Sequence, residues 1–187
     1  MESPYCQLDV KKKKSNNYQR RIKEEGIYIF GGLFENSEAS DQLRILKIGQ
    51  KPLFWTFPET NGIPPIGRFQ HGQSFLQDLN ILVVYGGRND KIIREGIMGD
   101  FNVLNLENLQ WIKIQMNGLQ IQKRCSFSLC VVDSQILVFG GYEENGFSNA
   151  DLQKGLDELF ILNQKSDLFL LENKHNEDKY GKEEEKI

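Results

Sequence analysis

Histidine and cysteine are scarce here: two and three residues in a chain of 187. A first-row metal site needs several such ligands converging. His71 has no partner at ligand spacing and His175 sits among charged residues, so no metal or cofactor is expected and His71 reads as structural. The cysteine count is odd and no C-x-x-C occurs. Cys125 and Cys130 lie five apart on one expected strand, face opposite sides and cannot pair locally. This usage predicts a reducing compartment, and the expectation is a cytoplasmic protein. Glycosylation acceptors of the Asn-x-Ser/Thr type are missing, and no apolar run reaches membrane-spanning length. The opening Met1-Glu2-Ser3-Pro4 is polar with no long apolar core after it, so no secretory leader is expected. Neither G-x-G-x-x-G nor G-x-x-x-x-G-K is present to cradle phosphate, and no G-x-S-x-G marks a nucleophile. The formal net charge is only −3, giving no pull toward nucleic acid or an anionic membrane.

What the chain does have is glycine in pairs. Ile81-Leu82-Val83-Val84-Tyr85 runs into Gly86-Gly87, Ile27-Tyr28-Ile29-Phe30 into Gly31-Gly32, and Ile136-Leu137-Val138-Phe139 into Gly140-Gly141. Apolar, β-branched runs stopped by glycine read as buried strands. The doublets begin at 31, 86 and 140, spacings of 55 and 54 residues, which is the signature of a repeat. Other positions keep the period. Trp55 and Trp111 are 56 apart, as are Arg68 and Arg124. The segments starting at Leu43, Phe101 and Leu159 form a second strand series, and Phe169 takes the tryptophan place of the third unit. After Arg124, the residues Cys125, Phe127, Leu129 and Val131 alternate with Ser126, Ser128, Cys130 and Val132, which predicts a strand with two unlike faces.

Strand-Gly-Gly, a downstream Trp, and Arg68-Phe69-Gln70-His71 before the next strand resemble the kelch repeat, one four-stranded propeller blade per repeat of about 50 residues. The resemblance covers residues 26–171 and implies an all-β fold: a partial β-propeller of about three four-stranded blades, at 26–56, 68–114 and 124–171. Three departures stand out. No Arg-x-x-His strand precedes the first unit, the third lacks Trp, and Phe127 occupies the histidine place after Arg124. The six doublet glycines read as backbone devices that take positive φ and let blades approach. Trp55 and Trp111 read as packing between blades.

Two flanks differ from this core. Residues 1–25 carry seven Lys/Arg against four Asp/Glu, including Lys11 to Lys14, and read as a poorly ordered basic arm that is also placed to supply the strand the first blade lacks. Residues 172–187 hold ten charged residues and read as a solvated tail. Between them, the loops 33–42, 88–100 and 142–158 share one end of the blades with the inter-blade connectors. Long loops on a rigid sheet carry recognition. The first loop, with Glu35, Glu38 and Asp41, is net −3; the third, from Tyr142 to Asp157, with Glu143, Glu144, Asp151 and Asp157 against Lys154, is net −3; the middle, from Arg88 to Met98, with Arg88 and Arg94, is net +1. These charges favour a protein partner with a basic patch. Arg68 and Arg124 have two readings: bonds to backbone or carboxylate between blades, or a grip on an acidic partner at the mouth.

Family members mostly act as interaction platforms: ubiquitin-ligase adaptors, cytoskeletal binders or ciliary components. The expected function is therefore a protein-interaction scaffold without catalytic residues. The alternative is a small-molecule-binding or enzymatic propeller. Copper galactose oxidases are kelch-type enzymes, but the paired His and Tyr ligands those need are not evident in this sequence. Closed propellers use about four to eight blades. Three blades leave two apolar end faces, to be covered by further blades of the same gene, a second copy or another chain.

Overall fold

The structure, a computed structural model, describes residues 22–49, 51–91, 96–114, 121–132, 135–144, 153–156 and 159–163. The basic arm up to residue 21, Arg94, Gly118, Phe169 and the charged tail lie outside the described residues. Strands β1 (Ile27–Phe30), β2 (Leu43–Lys47) and β3 (Phe54–Thr56) form one antiparallel sheet in that order. Strands β4 (Gly72–Leu76), β5 (Ile81–Tyr85), β6 (Phe101–Asn105) and β7 (Gln110–Ile114) form a complete four-stranded meander. The third sheet uses β8 (Ser128–Val132) and β9 (Gln135–Phe139). A small hairpin, β10 (Tyr142–Glu144) with β11 (Gln153–Gly155), interrupts the connection to its third strand, β12 (Leu159–Asn163). Thus the loop expected at 142–158 contains secondary structure of its own. Helix is confined, among the described residues, to one 3-10 turn at Gln77–Leu79. Asn80 closes that turn in the left-handed region, which asparagine tolerates.

Blade two explains its own sequence. Every residue of Ile81–Tyr85 is buried because both faces of the sheet are covered. The period of two divides them. Leu82 and Val84, with Leu104 and Trp111, pack on Tyr28, Phe30, Leu43 and Ile45 of blade one. Ile81, Val83 and Tyr85 face blade three with Phe101 and Val103, against Ile136 and Val138. The edge of the Trp111 indole meets the Phe30 ring at 5.0 Å and 62°. Strand β8 alternates as its sequence requires: Leu129 and Val131 pack toward blade two, while Ser128, Cys130 and Val132 face solvent.

Trp55 behaves differently from Trp111. It pairs with Leu46 as Trp111 pairs with Leu104, yet it is exposed, because among the described residues no blade packs against its face of blade one. Packing between blades therefore holds for Trp111 and not for Trp55.

All six doublet glycines have positive φ. Gly86 shows why nothing else fits: at φ +61° a Cβ would lie 2.6 Å from the Arg124 carbonyl oxygen, a backbone atom that cannot move aside. Gly49 has no heavy atom within 4 Å of its would-be Cβ. Gly86→Ala should cost roughly 1–3 kcal/mol from the backbone conformation alone, with the clash added. Gly49→Ala should stay within about 0.5 kcal/mol, as at ordinary surface sites. Urea unfolding of the two variants checks this, and equal midpoints would show that the doublet is an ordinary turn.

Candidate interaction face at the loop end

The loop end is built on a hydrogen-bond pattern that repeats with the blades. Arg68 donates from Nη1 to the Gly86 carbonyl at 2.9 Å and from Nε to Ile66 O at 3.0 Å. Its two terminal nitrogens also meet both carboxylate oxygens of Asp100 at 2.8 Å. The backbone carbonyl of Arg68 accepts from Gly32 N at 2.8 Å. Arg124 does the same one blade later: Nη1 to Gly140 O at 2.9 Å, Nε to Gln122 O at 3.2 Å, and its carbonyl accepting from Gly87 N at 2.9 Å. Each arginine therefore ties the doublet of its own blade to that of the preceding blade. In blade one the Gly31 carbonyl is held by Arg44 Nη2 at 2.6 Å.

Arg68 and Arg124 are fully buried. Of the two readings open from sequence, the structure gives bonds to backbone and carboxylate: each guanidinium holds its own blade while its backbone carbonyl reaches the preceding one, and neither side chain offers a surface to an acidic partner. Burial pushes the Asp100 carboxyl up, but the hydrogen bonds and charge of Arg68, joined by the Asn102 amide, outweigh it and hold the group below its ordinary value.

His71 sits at the same junction. Its ring meets Phe30 edge-on at 6.0 Å, and Phe127 meets Tyr85 in the same manner at 5.4 Å. A Cβ on Gly87 would strike His71 Cβ, and one on Gly141 would strike Phe127 Cβ. Histidine and phenylalanine thus fill equivalent slots behind successive doublets. Both His71 ring nitrogens are buried and find no hydrogen-bond partner among the described residues. Burial first, then the nearby Arg68 charge, lowers its pKa from 6.5 to about 4. Next to it, Gln73 accepts from Phe30 N at 3.1 Å and donates to Tyr28 O at 2.9 Å, stitching β4 to blade one.

In front of this frame lie the loop side chains. Glu35 and Glu38 are exposed on the β1–β2 loop, beside exposed Leu33 and Phe34. Lys91 joins the first two loops, donating to Asn36 O at 3.3 Å and lying 3.5 Å from Glu38. Arg88 is half-buried, bonded to Asp90 at 2.8 Å, with its guanidinium 5.8 Å from the Phe69 ring centroid. Glu143 lies on β10, half-buried, and Glu144 follows it on that strand. The structure brings Glu38 to the loop of Arg88. It adds what charge counting missed: Leu33, Arg88 and Tyr142 each follow a doublet directly, so the residue after Gly-Gly marks this end in every blade. No group of three or more His, Cys, Asp or Glu suited to a metal occurs among the described residues.

Because the folded state resists protonating His71, stability is complete above pH 6.5 and falls as pH drops toward about 4. His71→Phe should be accepted in the slot Phe127 already fills, should unfold at an equal or higher temperature at pH 7, and should flatten the loss between pH 6.5 and 4. Melting curves across that range check it; an unchanged slope would mean that His71 is not the titrating group.

Residues 21–169 match the family described as the KLHDC2/KLHL20/DRC7 Kelch-repeats domain. Among similar proteins, acyl-CoA-binding domain-containing protein 5 of Arabidopsis thaliana is 31% identical over 101 residues, covering 49% of this chain and 15% of that one. Human Host cell factor 1 is 28% identical over 129 residues, 62% of this chain and 6% of the relative. Human Kelch domain-containing protein 3 is 28% identical over 140 residues, 68% of this chain and 35% of the relative. The chain therefore spans a minor part of these relatives' lengths. The solved structure titled "Structure of YjhT" superimposes with a TM-score of 0.54 at 18% identity, over 75% of this chain and 40% of that one, a likeness of fold. The in-phase doublets, arginine clamps and inter-blade aromatic contacts fall within the matched region, and the chain belongs to the kelch-repeat family as a segment of a kelch-type β-propeller.

Proposed function

We propose that this kelch-repeat domain is a protein-interaction scaffold that binds its partner through the loop end. The observation that carries the reading is the contrast between frame and face. Arginine clamps fix the doublets, and directly after them stand exposed Leu33, Phe34 and Tyr142, flanked by Glu35 and Glu38. Rigidly presented apolar side chains with a charged rim match the composition of protein interfaces. The clamp and His71 are enclosed by structural contacts, which leaves the loop side chains for recognition. The acidic rim of the first loop favours a partner with a basic patch. Such a contact is screened by salt, so capture should weaken between low and physiological ionic strength.

The test pairs two variants of the full chain. Leu33→Asp with Phe34→Asp should reduce recovery of bound proteins about tenfold or more, because apolar anchors dominate interface energy. Glu35→Lys with Glu38→Lys should reduce it less and remove the salt dependence. Neither pair should shift the melting temperature appreciably, since exposed loop residues contribute little to folding. Quantitative affinity capture with parallel melting curves reads both. An unchanged set of bound proteins in both variants would place recognition elsewhere.

A further inference from the structure

The edge of β1 away from β2 is closed by a side chain. Gly31 N bonds Gln42 O, so Ile27 and Ile29 also turn their backbone groups toward β2, while Tyr28 and Phe30 turn theirs to the other edge. In blade two the matching residues, Val83 and Tyr85, face Ser74 and Gly72 of β4. No described strand pairs with β1 on that side. Gln73 of the next blade takes both groups instead: Oε1 accepts from Phe30 N at 3.1 Å and Nε2 donates to Tyr28 O at 2.9 Å. One carboxamide thus supplies the acceptor and the donor that a strand would supply from its backbone. It does so where Gln73 is 2% exposed and an unpaired peptide group is costly.

The repeat shows that this device belongs to one junction only. Gln73 stands five residues after Arg68, and Leu129 stands five after Arg124. Leu129 packs as an apolar residue against blade two, whose β5 already has β4 beside it. Glutamine stands at the junction where the preceding blade shows no such strand. Close packing gives a second, independent reason. Where β4 is present, glycine faces the neighbouring blade, and a Cβ on Gly72 would lie 2.6 Å from Leu129 Cβ. A strand laid on β1 would meet Gln73 in the same way and would need glycine at that place. Residues 1–25 contain no glycine, and the 55-residue spacing of the first two doublets puts Asn17 there. We infer that Gln73 guards blade one: its side-chain amide stands in for a strand, and the edge of β1 receives no extended segment, the basic arm included. Unpaired sheet edges recruit strands, and natural sheets block them. Here the block is a buried amide that also ties blade two to blade one. This edge and the loop end are different surfaces, so the inference does not depend on the loop-end binding reading.

Amide hydrogen exchange of the full chain, read residue by residue, tests it. Gln73→Leu installs the residue found at the equivalent place of blade three. Gln73→Asn keeps the amide but is one methylene too short to reach. Each should speed exchange at the Phe30 amide roughly tenfold, the effect of one lost hydrogen bond. The Gly31 amide, bonded to Gln42 O, should keep its rate in both. Asn17→Pro with Gln19→Pro removes the donors that the arm, in the register of Gly72 and Ser74, would offer to β1, and should leave Phe30 exchange unchanged. A Phe30 rate unchanged in both Gln73 variants would overturn the inference, because the side chain would then not be what covers the edge. A faster Phe30 rate in the proline pair would overturn it too, because the arm would then be the strand. If Gln73→Leu does not fold, Gln73→Asn and the proline pair decide the matter between them.

Discussion

A buried arginine whose guanidinium holds a glycine carbonyl of its own blade, and whose backbone carbonyl accepts from the preceding doublet, links successive blades of this arc. Arg68 reaches the Gly86 carbonyl with its side chain and receives the Gly32 amide on its own backbone. Arg124 repeats the link between Gly140 and Gly87. The doublet ends a buried strand, where carbonyl and amide groups would otherwise lose their partners out of water, a costly outcome. Arginine answers the need because its planar fork serves several acceptors at once, and Arg68 serves Ile66, Gly86 and Asp100 together. The need for glycine follows from the same geometry. With the Arg124 carbonyl 2.6 Å from a would-be Gly86 Cβ, clamp and side chain cannot share the space.

Around that link the blades pack by repetition. Each inner contact sets one aromatic of a preceding blade against a ring of the next: Phe30 with Trp111 and His71, Tyr85 with Phe127. The Tyr85 hydroxyl, whose pKa burial raises to about 12, donates to the Gln122 carbonyl at 2.7 Å and so also fixes the connector to blade three. The loops then vary freely in front of a frame that does not. That division lets one scaffold offer the apolar tip at Leu33 and Phe34 in one blade, and Arg88 stacked on Phe69 in the next.

Much of this was legible in the sequence because the chemistry recurs as residue type. Glycine at 31, 86, 87 and 141 takes positive φ where a Cβ would lie under 3 Å from a neighbour, so the period shows. Arg68 and Arg124 were visible as a pair, but their spacing does not say whether a guanidinium points inward or out. Only the surrounding carbonyls decide that. Other repeats were invisible because the backbone does the work. Ser40, Met98 and Leu156 each donate their amide to the second doublet glycine of their blade, at 2.8, 2.8 and 2.9 Å, although the three share no side-chain chemistry. Gln70 and Ser126 both adopt positive φ without being glycine, and Ser126 N bonds Gln70 O across the blades. Trp55 misled for a different reason. Its residue type is that of a buried position, while its exposure depends on what lies beyond its blade.

If the arginine clamp is what fixes each doublet in its blade, removing one guanidinium should loosen the blade that carries it. Arg68→Met keeps length and apolar stem but leaves the Gly86 carbonyl without the guanidinium and Asp100 with only the Asn102 amide. Equilibrium unfolding should then show a loss of about 2–4 kcal/mol, below the full cost of stripping one partner from a buried ion pair because Asp100 is partly exposed. Amide hydrogen exchange should show protection lost first in the blade-two strands that end at Gly86, whose carbonyl loses the guanidinium. An unfolding midpoint and blade-two exchange rates that both match the wild type would contradict the clamp and leave apolar packing and the backbone bonds as the ties between blades.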